Sequence, residues 1–150
     1  MPQSLSKILL HIVFSTKNRA KIILPELESE LHAYLAEICR AHNCNAYRVG
    51  GTENHIHIAC SLPRTITVSK LLEEIKTNSS KWMKSKSSKC SSFAWQSGYG
   101  VFSISQSHLQ SLVHYIENQH KHHGIKSFED ELLEFFKSYQ IEFDEKYVWD

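Results

Sequence analysis

Three features of the chain predict an α+β fold. Short runs rich in β-branched and aliphatic residues are interleaved with longer segments whose apolar residues recur every three to four positions, so strands and amphipathic helices share one chain. Their order is strand, helix, strand, strand, helix, with aromatic-rich material for a further strand. Two of the strands adjoin a Gly-Gly-Thr sequence that suits a hairpin. That order is the ferredoxin-like sandwich, an antiparallel sheet with helices on one face, here followed by C-terminal helices.

The elements are read in sequence. Residues 8–16 hold a buried first strand that ends at Lys17, Asn18 and Arg19. After Pro25, Leu27, Leu31, Tyr34, Leu35 and Ile38 fall on one helical face, with acids in the first turn. Residues 45–51 and 54–62 read as two strands joined near Gly50, Gly51 and Thr52. Residues 65–84 carry a second amphipathic helix through Val68, Leu71, Leu72 and Ile75. FAWQSGYGVFSI (93–104) supplies the further strand, residues 106–123 a third helix, and about 128–139 a fourth.

At 150 residues, 41% hydrophobic and 22% charged, the chain has the size of one domain spanning 1–150. The apolar run from Ile8 to Phe14 is short and interrupted by His11, which fits a strand better than a signal peptide. No stretch approaches the roughly 20 apolar residues of a membrane span. Cys39, Cys44, Cys60 and Cys90 show no CxxC spacing, so free thiols in the cytoplasm are expected.

The net charge of +1 conceals an asymmetry. Residues 127–150 carry eight acids and two bases, which leaves residues 1–126 with eight acids, 15 bases and all ten histidines. A basic body suits a polyanionic partner, nucleic acid first. Lys76, Lys81, Lys84, Lys86 and Lys89 are spaced by serines around Trp82, and lysines beside an aromatic suit a phosphate backbone and a stackable base. A solvated loop would have the same composition.

Residues 53–60 contain the sharpest chemical feature, His55-Ile56-His57. Side chains alternate along a strand, so the two imidazoles share a face about 7 Å apart and can converge on one cation. In residues 106–123, Leu109, Leu112, Val113 and Ile116 form an apolar arc at about 100° per residue, and Tyr115 lies roughly 110° from its middle. Gln119 is one turn further along, and His108 shares that flank. A divalent ion held by His55, His57 and the Gln119 amide oxygen would polarise a phosphodiester, and Tyr115 would attack it. The phenol, with a pKa near 10, needs local positive charge or a base. The resulting phosphotyrosine would conserve the bond energy for rejoining. Glu53 and Asn54 would orient the histidines or form a turn, and His120, His122 and His123 receive no catalytic role.

HIVFSTKNR (11–19), ENHIHI (53–58), SSKWM (79–83), WQSGYGVFSIS (95–105), YIENQHKHH (115–123) and FDEKYVWD (143–150) carry a resemblance that spans almost the whole chain. The chain resembles the single-tyrosine HUH transposases of the smallest bacterial insertion sequences, the IS200-like family. The resemblance implies cleavage and rejoining of single-stranded DNA at hairpin-bearing ends through a 5′-phosphotyrosine on Tyr115. It also implies magnesium or manganese as cofactor, and a homodimer in which the tyrosine helix completes the partner's active site. Arg19, Trp82 and the five lysines are the candidate DNA contacts. Two other readings fit parts of the pattern: a DNA-hairpin binder without chemistry, and a zinc hydrolase in which a cysteine such as Cys44 joins His55 and His57.

Overall fold

The computed structural model describes residues 2–150. Strands β1 (Leu9–Ser15), β2 (Ala46–Thr52), β3 (His55–Ser61) and β4 (Gly100–Ile104) form one antiparallel sheet in the order β2-β3-β1-β4. Helix α1 (Pro25–Ala41) follows β1 and helix α2 (Val68–Lys86) follows β3. This is the ferredoxin-like arrangement expected from the order of elements. After β4 come α3 (Leu109–Glu117), α4 (Gln119–His123) and α5 (Phe128–Ser138).

Local chemistry sets the helix starts. Pro25 occupies the first turn of α1, where its missing N–H costs nothing, and Glu26 and Glu28 sit at the positive end of the helix dipole. The Thr67 hydroxyl accepts from the Lys70 backbone N–H at 3.1 Å to cap α2, and Ser127 caps α5 through the Asp130 N–H at 3.2 Å.

Strand alternation divides the sheet into two faces of different chemistry. Leu10, Ile12, Phe14, Ile56, Ile58 and Cys60 point to one face, where Leu31, Leu35 and Ile38 of α1 and Leu71, Leu72 and Ile75 of α2 complete a dry core. Burying each such aliphatic side chain stabilises the fold by about 1.5–3 kcal/mol relative to exposure. His11, Val13, His55 and His57 are also buried, and they share the opposite face. There Val13 and Phe102 pack against Phe128, Leu132 and Phe136 of α5.

Three boundaries differ from the sequence reading, each for a packing reason. The β2–β3 turn is at Glu53 and Asn54, while Gly50 and Gly51 lie inside β2 opposite His57 and Ile56. A Cβ on Gly50 would come within 2.6 Å of Ile116 Cγ2 and 2.7 Å of the Ile116 carbonyl, so this glycine lets α3 lie directly on β2. The third helix breaks at Asn118, whose side-chain amide donates to the His114 carbonyl at 2.9 Å and competes with the helical ladder. The last strand starts only at Gly100 because Phe93 and Trp95 turn inward instead. Trp95 packs edge-on against Phe14 and Phe93 and donates to Ser79 Oγ at 2.9 Å.

Candidate active site

β3 brings His55 and His57 to the same face, as alternation requires, and both are fully buried. His57 Nδ1 and His11 Nε2 share a hydrogen bond at 2.8 Å, which fixes the His57 ring and leaves its Nε2 pointing inward. His55 is oriented by the turn before it. Its Nδ1 lies 2.8 Å from Asn54 Oδ1 and 3.0 Å from Thr52 Oγ1, while the Asn54 amide nitrogen faces the Arg19 carbonyl at 3.4 Å. Nδ1 is therefore the protonated nitrogen of His55, and Nε2 carries a lone pair.

That lone pair faces Gln119 Oε1 at 2.8 Å. The Gln119 amide nitrogen is turned to Glu131 Oε2 and the Tyr115 carbonyl, each at 3.5 Å. Two acceptors thus meet with no hydrogen between them, an arrangement that a cation relieves. His123 gives a second indication: its Nε2 is buried without a hydrogen bond although it approaches Glu131 Oε2 at 3.1 Å. His55, His57, His123 and Glu131 each offer a ligand atom, all within 4.8 Å of one another. The donor set fits a divalent metal ion.

Glu131 is the centre of the cluster. Its Oε1 lies 2.9 Å from His57 Nε2 and 3.9 Å from His55 Nε2, and its Oε2 accepts from the Tyr115 hydroxyl. Burial alone would push this carboxyl up. The imidazoles of His123 and His57 and the Tyr115 hydroxyl outweigh it and hold Glu131 well below the usual carboxylate range. Burial, reinforced by the Glu131 charge, pushes the Tyr115 phenol well above its ordinary value. His55 and His11 are lowered from 6.5 to about 3, first by burial and then by the neighbouring His57. His55 and His11 are thus neutral near pH 7, with the Glu131 anion close by. Tyr115, half-buried, stands at the mouth of a cleft between α3 and α5 lined also by Ser111, Leu112, His122, Glu134 and Phe135.

The four residues singled out for chemistry in the sequence, His55, His57, Tyr115 and Gln119, therefore meet at one place, within one chain. The resemblance implied a tyrosine that serves the partner subunit's site. Here Tyr115 belongs to the same chain as His57, its ring centroid 5.8 Å away, because α3 is seated on its own β2.

The candidate DNA contacts divide differently. Lys81, Lys84 and Lys86 are carried by α2, and Lys89 by the turn just after it, in the helical layer across the sheet from the histidines. Trp82 stacks on Tyr34 at 5.2 Å, with the Lys86 ammonium 4.6 Å above its ring. Lys76 departs from the expected solvated contact. Its ammonium donates to the carbonyls of Gln96 (2.8 Å) and Ser97 (3.3 Å), and burial lowers its pKa to about 8. Arg19 pairs with Glu129 of α5 at 3.5 Å and lies 4.9 Å over Trp149. Cys44 is a free buried thiol and is absent from the ligand cluster, which removes the specific basis for the zinc-hydrolase reading.

His11, His123 and Glu131 were missed as site residues. Glu131 left a trace in the sequence: it lies within the arc Phe128, Leu132, Phe136, an acid on the apolar stripe of a helix. His11 has the parity of Val13 on β1. Nothing local separates His123 from His120 and His122.

The sheet, the histidine pair and the helical tyrosine define the class to which the molecule is similar, and comparison with known proteins makes the class specific. The family described as "Transposase IS200 like" matches residues 4–119. The chain belongs to the IS200-like transposase family. A solved structure of a "putative transposase" from Deinococcus radiodurans R1 shares 20% identity over 79% of this chain and 98% of its own, with a TM-score of 0.61. A REP-associated tyrosine transposase bound to a REP hairpin shares 18% identity over 83% of this chain and 73% of its own, also at 0.61. No protein of curated function matches significantly.

Proposed function

We propose that the chain cleaves and rejoins single-stranded DNA at hairpin-bearing ends of an insertion sequence, through a covalent 5′-phosphotyrosine on Tyr115. The observation that carries this reading is the position of the Tyr115 hydroxyl. It bonds the same anion, Glu131, that contacts His57 and Gln119, so nucleophile and histidine pair address one point in space. A scissile phosphate entering by the cleft beside Tyr115 would meet both.

His55 and His57, with the Gln119 amide oxygen, would hold the divalent ion, which the family resemblance implies to be magnesium or manganese. Bound there, the ion supplies charge neutralisation on the phosphate oxygens. The protein's own residues do the rest. His11, Asn54 and Thr52 hold the two imidazoles in register. The Tyr115 oxygen bonds to phosphorus as the bond to the 3′-oxygen breaks. The phenolic proton passes along its hydrogen bond to Glu131 and on to the leaving 3′-oxygen, so the other strand departs as a free 3′-hydroxyl. Attack by a second 3′-hydroxyl on the phosphotyrosine reverses these steps and joins new ends without a nucleotide cofactor.

DNA-hairpin binding by the solved relative, the basic body and the lysine-bearing face of α2 support a folded DNA substrate. The homodimer implied by the resemblance would bring two such ends together, each chain keeping its own tyrosine beside its own histidines. The four buried free cysteines suit the cytoplasm, and among the described residues no helix is long and apolar enough to cross a membrane.

The test is cleavage of single-stranded DNA from the flanks of the gene, with magnesium or manganese. Tyr115→Phe is expected to abolish cleavage while changing hairpin affinity less than threefold, because the hydroxyl is needed only for attack. Cleavage retained by that variant would remove Tyr115 as nucleophile. Dissociable binding alone, by wild type and variant, would favour the hairpin binder.

A further inference from the structure

We infer that His123 and Glu131, which lie beyond the family-matched residues 4–119, are ligands of the same ion as His55 and His57, giving a site selective for manganese, cobalt or zinc over magnesium. The inference rests on the reading of the histidine pair as a metal site and adds its ligands and its metal class.

Several observations converge. The ligand atoms of the four residues all lie within 4.8 Å of one another, and two of their contacts are 2.9 Å (His57 Nε2 to Glu131 Oε1) and 3.1 Å (His123 Nε2 to Glu131 Oε2). Donors about 2.1 Å from one ion stand roughly 3 to 3.4 Å apart, so little movement separates this cluster from a coordination sphere. His123 Nε2 has no hydrogen-bonding partner despite its burial. Its nearest polar neighbour is Glu131 Oε2 at 3.1 Å, so a cation placed there would meet both the ring nitrogen and the carboxylate. Glu131 is an acid on the apolar face of α5, carried onto the cluster by Phe128, Leu132 and Phe136. Glu131 is 2% exposed, and its charge, met so far by imidazole and phenol groups, is one that a metal ion would compensate further.

The donor set decides the metal. Three imidazole nitrogens and one carboxylate, beside the Gln119 amide oxygen, suit borderline transition-metal ions, whereas magnesium prefers oxygen ligands and retains its water. Glu131 would also connect the ion to the nucleophile, since its second oxygen accepts from the Tyr115 hydroxyl. His123 and Glu131 flank the link between α4 and α5, so metal binding would tie the C-terminal helix to β3.

The experiment is titration of the full-length, DNA-free protein with Co2+, followed by visible absorption and by the imidazole proton resonances that the ion shifts. One Co2+ per chain is expected, with three shifted imidazoles, and a hundredfold excess of magnesium should not displace it. Glu131→Gln and His123→Ala should each weaken binding at least tenfold. The wild-type spectrum tests the ligand set even if a variant fails to fold. Shifts confined to two imidazoles, unchanged affinity in both folded variants, or ready displacement by magnesium would overturn the assignment. The two readings fail separately. Co2+ binding as described without any covalent DNA product removes the transposition chemistry and leaves this site. Covalent product formed by a protein whose folded variants bind Co2+ like wild type does the reverse.

Discussion

His11 and His55 show what it costs to place a reactive site in a dry interior. Both are buried and neutral, with pKa values lowered from 6.5 to about 3, burial being the main cause. A histidine whose folded value is depressed contributes stability that is present above the unfolded value and lost as pH falls through it. The metal-free protein is therefore expected to lose stability steadily from about pH 6.5 toward pH 3, on the order of 2 kcal/mol per buried histidine by pH 5. Glu131, held below its usual range, adds to the loss at the acid end. Thermal melting between pH 7.5 and 5 checks this, and a melting temperature independent of pH over that interval would contradict it. At this scale much was legible in the sequence. Strand parity alone put His55 and His57 on one face, and helical spacing put Tyr115 and Gln119 on one flank. The carboxylate between them was not legible, because the contact between Glu131 and His57 spans 74 residues and depends on how α5 docks.

At the scale of elements, the order was readable and the ends were not. A period of two or of 3.6 identifies a strand or a helix, but where each stops depends on contacts made by other parts of the chain. Gly50 resembles a turn residue until α3 is seen lying on it. Asn118 is an ordinary helical residue until its amide takes the His114 carbonyl. The lysine-rich segment shows the same limit. Lys76 is drawn into a cradle of carbonyls, while Lys81, Lys84 and Lys86 stay on α2, across the sheet from the histidines. If that face carries the hairpin stem, replacing these three lysines with alanine should weaken binding at every sequence alike. The slope of log affinity against log salt should fall by about 0.9 for each phosphate that the protein no longer neutralises. An unchanged slope, measured by anisotropy over a range of salt, would place the stem elsewhere.

For the whole molecule, the sheet is a partition between a structural layer and a chemical one. α1 and α2 close the apolar face, while α3, α4 and α5 close the histidine face and bring Tyr115, Gln119, His123 and Glu131 to it. Because α3 rests on its own β2, Tyr115 stands beside the histidines of its own chain. Mixing Tyr115→Phe chains with His57→Ala chains is accordingly expected to restore no cleavage, even where mixed dimers are shown to form. Restored activity would mean that α3 leaves Gly50 and crosses to the partner. The covalent step at Tyr115 is read from its product. The protein is incubated with flanking single-stranded DNA and manganese, and the covalent species that survives denaturation is digested and sequenced by mass spectrometry. A 5′-phosphate joined to the Tyr115 peptide is expected, formed only with metal. A nucleotide attached to any other residue, or a cleaved strand with no attached peptide, would contradict it.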